Sequence, residues 1–95
     1  MLMENKTRKN FDGQTYFYAH AQCGVWEIEL HGYSNDGFDC FIYRNDCELG
    51  ANADNDPMRA LFGAADNYTD NCDVRKMPKQ LHGLMNEIVE AVMSW

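Results

Sequence analysis

Residues 25–31, VWEIELH, alternate: Trp26, Ile28 and Leu30 share one parity, Glu27, Glu29 and His31 the other. A period of two is what a strand with one buried face requires. The preceding QTYFYAHA is rich in aromatic and β-favouring residues and reaches this strand through Gln22-Cys23-Gly24, so the two segments read as arms of a hairpin. YSNDG then offers a glycine that readily takes positive φ, ahead of a third arm, FDCFIYR. An antiparallel three-stranded meander over roughly 14–44 is predicted, with CELG at 47–50 open as a fourth strand.

Beyond residue 55 the period changes. Asp56 before Pro57 is a helix start: a capping carboxylate accepts from free amides, and proline's missing donor is harmless in the first turn. Met58, Leu61, Phe62 and Ala65 form an apolar stripe, predicting a short helix near 57–66. DNYTDNCDVRKM reads as a loop ending at Pro78. From there Leu81, Leu84, Met85, Ile88, Val89, Val92 and Trp95 recur on one side of a long amphipathic helix near 78–95, with Lys79, Asn86, Glu87 and Glu90 on the other. Laid across the sheet, that helix completes the core of a single two-layer α+β domain, residues 1–95, led by a short basic N-terminal arm at 1–10.

With 95 residues and 45% hydrophobic content, such a domain buries roughly 60 to 65% of the surface its unfolded chain exposes. No apolar run approaches the roughly 20 residues of a membrane span, and MLMENKTRKNF has no apolar signal region. The expected compartment is the cytoplasm, where Cys23, Cys40, Cys47 and Cys72 stay reduced and the sequons at Asn5 and Asn67 carry no glycan.

Charge alters the picture more than composition does. Residues 10–73 carry twelve carboxylates against only Arg44 and Arg59, a net charge of −10, within a chain of net charge −7. Such a body repels nucleic acid and anionic membranes and favours basic partners.

The acidic segment NDCELGANADNDPMR, residues 45–59, poses the choice between metal ligands, a recognition surface and turn or cap chemistry. If Asn52, Asp54 and Asp56 opened a calcium loop, glycine should stand at its sixth position and glutamate at its twelfth, but Pro57 and Gly63 stand there. Asp56 as a cap with Asn52 and Asp54 in the turn accounts for part of the segment. His20-x2-Cys23 is one close ligand pair, where structural zinc sites use two, so no metal and no cofactor is expected. Ser34 and Ser94 lie in no nucleophile elbow, and no glycine-rich phosphate cradle follows a strand. A thiolate at Cys23 or Cys72 beside His20 would need an electropositive setting that this chain lacks, so no catalytic residue is assigned.

The acidic surface remains as the functional element, with Glu27, Glu29, Asp36, Asp39, Asp46, Glu48, Asp54, Asp66, Asp70 and Asp73 as candidate partner-binding residues. In size, charge and α+β plan the chain is similar to small phage-encoded inhibitors that imitate DNA, including anti-restriction and anti-CRISPR proteins. That resemblance implies an inhibitor and transfers no site residue; from the acidic surface itself, the expectation is a protein-binding role in which loop carboxylates, with exposed tyrosines nearby, block a basic surface on a nucleic-acid-handling partner without binding nucleic acid directly. The competing readings are a metal-dependent or thiol enzyme, and a structural or assembly protein; a homodimer stays open.

Overall fold

The computed structural model describes residues 2–9, 15–33, 36–72 and 78–94; for 2–9, 15 and 70–72 the description is of the backbone. Five strands, β1 (Leu2–Lys9), β2 (Thr15–Cys23), β3 (Trp26–Tyr33), β4 (Gly37–Arg44) and β5 (Cys47–Asp54), are followed by helices α1 (Pro57–Cys72) and α2 (Lys79–Met93). The strands form one antiparallel sheet in sequence order. The predicted meander is therefore present as β2–β4, and β5 supplies the fourth strand over its full eight residues.

Turn chemistry sets the registers. Gly24 takes φ 60° in the β2–β3 hairpin, and Asn45 and Asp46 take φ 53° and 66° between β4 and β5. Two successive left-handed residues are the geometry that joins twisted strands most directly, and Asn and Asp tolerate it better than most side chains. The Asn45 amide donates to the Val25 carbonyl at 2.7 Å, tying the two neighbouring hairpin turns together. Between Ile42 and Tyr43 the register slips: Gly50 faces Ile42 and Glu48 faces Tyr43, leaving Leu49 as an extra residue in β5.

Both helices pack on one face. The core joins Phe17, Ala19 and Ala21 of β2, Ile28 and Leu30 of β3, and Phe38, Cys40 and Ile42 of β4 to Leu61 and Tyr68 of α1 and Leu81, Leu84 and Ile88 of α2. Asp56 caps α1 as expected, its Oδ1 accepting from the amides of Met58 at 2.8 Å and Arg59 at 3.2 Å.

Four expectations are refined. Residues 2–9, read as a basic arm, are a strand paired with β2 along their whole length. Mostly polar β1 has no hydrophobic alternation to announce it, and it pairs with the neighbouring ladder of β2. Asn52 and Asp54, read as turn residues, lie within β5, and the turn is Asn55-Asp56. Helix α1 runs to Cys72 rather than ending near 66, because tertiary contacts override weak local propensity. Tyr68 is buried with its ring edge-on to Trp26, centroids 6.0 Å apart, and the Asn67 amide donates to the Ala51 carbonyl.

The fourth concerns the buried stripe of α1, which is Ala60, Leu61, Ala64, Ala65 and Tyr68, while Phe62 is 51% exposed. Close approach selects these small residues. A Cβ at Gly50 would stand 2.5 Å from the Ala64 carbonyl oxygen, so β5 needs glycine where α1 comes this close. On α2, Leu81, Leu84, Met85, Ile88 and Ala91 are buried, with Val89 and Val92 packed against them. Trp95 lies outside the described residues.

Candidate functional site

The sheet face turned away from the helices is covered by neither of them. It carries the opposite parity of each strand: Tyr16, Tyr18, His20 and Gln22 of β2; Glu27, Glu29, His31 and Tyr33 of β3; Asp39, Phe41 and Tyr43 of β4; and Glu48, Ala51 and Ala53 of β5. Every one of these residues is half-buried or exposed. The rings shield one another. Tyr16 and Tyr33 meet across the strands with centroids 5.0 Å apart, while His31, Phe41 and Tyr43 form a row at 6.0 and 6.1 Å with interplanar angles of 25° and 28°.

Carboxylates thread between these rings. His20 Nε2 lies 3.0 Å from Glu27 Oε2, and His31 Nε2 lies 3.5 Å from Glu29 Oε1. An ionised carboxylate only accepts, so the imidazoles present N–H to it. Partial burial, together with the charges of Glu29, Glu48 and Glu27, pushes the Tyr43 phenol above its ordinary value. Burial is the larger cause, and the carboxylates add to it. Beyond β1 the described cations lie elsewhere: Arg44 over the Trp26 ring, Arg59 on α1 and Lys79 on α2. At the β1 margin, Glu4, Lys6 and Arg8 stand opposite His20, Tyr18 and Tyr16 in register.

The ten candidate acids separate into groups. Glu27, Glu29 and Asp39 share the open face, with Glu48 at its β5 side and Asp46 in the adjoining turn. Asp36, Asp39 and Asp54 line a shallow cleft of about 460 Å³ at the sheet end, together with Arg59. Asp54 belongs to the architecture: its Oδ1 accepts from the Asp56 amide at 2.9 Å and from Arg59 Nε at 3.0 Å, and these contacts hold its carboxyl below the ordinary value of 3.8. Asp66 is exposed on α1, remote from the open face, and the Asp70 side chain and Asp73 lie outside the description.

Among the described residues no group of three His, Cys, Asp or Glu side chains is arranged for a metal ion. Cys40 faces the core, where burial, with Glu29 adding to it, pushes its thiol up to about 12; Cys23 is half-buried and Cys47 exposed. No helix among the described residues is long and apolar enough to cross a membrane.

Sequence reasoning placed the acids mainly on loops and missed the ring system, naming none of His31, Phe41 and Tyr43 as part of it. The signal was parity: in FDCFIYR the aromatic Phe41 and Tyr43 alternate against Cys40 and Ile42. Neither family models, curated proteins nor solved structures match the chain.

Proposed function

We propose that this protein is a small acidic inhibitor that acts by protein binding in the cytoplasm, covering a basic, nucleic-acid-binding surface of its partner. It is not an enzyme in this reading, and it binds neither nucleic acid nor membrane directly. One observation carries the proposal: across β3, β4 and β5 the sheet face left uncovered by both helices interleaves Glu27, Glu29, Asp39 and Glu48 with half-buried rings, and no Lys or Arg of those three strands shares that parity, Lys6 and Arg8 entering only at the β1 margin. Rings supply contact area at low entropic cost, and the carboxylates steer encounter and choose the sign of the partner.

The test begins with low-salt capture from host lysate and identification by mass spectrometry. The recovered protein's binding to labelled nucleic acid is then titrated with this chain. Displacement that weakens with added salt, and that fails for the Glu27→Gln, Glu29→Gln, Asp39→Asn variant folded by circular dichroism, is the expected result. A partner that keeps its nucleic acid, or that is bound equally by the neutralised variant, would overturn the proposal.

A further inference from the structure

From the row formed by His31, Phe41 and Tyr43 beside Glu27 and Glu29, we infer that the open face selects arginine over lysine, its occupant being an extended arginine-bearing segment of the partner protein. The inference rests on the reading above that the partner is basic, and it names the chemistry of the contact. Neighbouring rings in the row are inclined by only 25° and 28°, with centroids 6.0 and 6.1 Å apart, and all three are half-buried, so part of each ring remains open to solvent. A planar, weakly hydrated guanidinium can lie along such faces and still point its N–H fork at a carboxylate; a compact, strongly hydrated ammonium gains little from a flat ring.

The carboxylates stand where that fork would reach. Glu29 lies within 3.5 Å of His31, at the edge of the row, and Glu27 follows two positions along the same strand. The molecule already uses this pairing internally, with the Arg44 guanidinium carbon 5.7 Å from the Trp26 ring centroid. Outward positions on one strand recur every two residues, about 6.8 Å, which matches alternate side chains of an extended segment laid along it.

The experiment uses the full chain and two blocked eight-residue peptides, (Arg-Thr)4 and (Lys-Thr)4, of equal charge and length. Affinities are measured by calorimetry at low and physiological salt. The arginine peptide should bind roughly tenfold more tightly than the lysine peptide. Phe41→Leu with Tyr43→Thr should erase that ratio, while Glu27→Gln with Glu29→Gln should weaken both peptides. Equal affinity of the two peptides for the unaltered chain would overturn the arginine inference and leave the basic-partner reading standing. Failure of both peptides to bind at low salt would overturn both readings. The ratio needs no variant, so a misfolded variant does not rescue the idea.

Discussion

The two faces of this sheet are built by the same strands and obey different rules. On the covered face the central side chains are aliphatic or small, with Phe17 and Phe38 at one end of the sheet and Trp26 at the other, and their packing is with helices. On the open face the large residues are aromatic and the packing is lateral, ring against ring and carboxylate against imidazole. A helix buries a side chain from above and rewards fitted volume. An open sheet can bury a side chain only beside its neighbours, which favours flat groups that lean and polar groups that keep one end wet. The difference teaches that apolar content alone does not locate the core: parity does.

The sharpest test of that contrast uses adjacent residues of β3. Leu30→Ala should cost about 2–5 kcal/mol in urea unfolding, because a fully buried side chain leaves a cavity under two helices. His31→Ala, one position away on the open face, should stay within about 1 kcal/mol. Similar values for the two would break the comparison. A smaller effect, about 1–3 kcal/mol, is expected for Gly50→Ala, where a methyl would force α1 away from β5; a melting curve unchanged from the parent would show that the helix can retreat freely.

The smallest expected effect concerns the polar seam where α1 joins the covered face. Asp54 is held below its ordinary value, so the stability from its contacts with the Asp56 amide and Arg59 is complete above pH 3.8 and is lost as pH falls below it towards the lowered folded value. Asp54→Asn should therefore flatten the acid limb of a stability-versus-pH profile below about pH 4 and change little at neutral pH, since the pair is largely solvent-screened. An acid limb of undiminished slope would assign that sensitivity to other carboxylates.

Much of the architecture was legible from residue pattern. The parity of VWEIELH, the turn residues of the meander, the Asp56-Pro57 helix start and the face of α2 all report one-sided burial or local capping, which a linear pattern records. What escaped depends on partners distant in sequence. Strand β1 is paired with β2 along its length, and its mostly polar sequence carries no apolar alternation to mark it as a strand. Strand β5 reverses the usual rule, turning Gly50, Asn52 and Asp54 towards α1 and Ala51 and Ala53 outward: α1 comes close at Gly50, Gly63 leaves room for Asn52, and Asn52 and Asp54 hydrogen-bond to Arg59. The acids were visible as a charge excess, but their grouping with His31, Phe41 and Tyr43 arises only when three strands are set in register.

The extra residue in β5 bears on which length changes the strand can absorb. Removing Leu49 would place Glu48 directly after Gly50 in the ladder, keeping Glu48 opposite Tyr43 and Gly50 opposite Ile42, so every side chain from Cys47 to Asp54 would retain its face. Removing Ala51 or Asn52 would invert the parity of the residues on one side of the gap, turning carboxamide or carboxylate groups outward or methyls inward against α1. Within the strand, Leu49 is thus the residue whose removal keeps every remaining side chain on its face, at the cost of the packing that Leu49 gives the core.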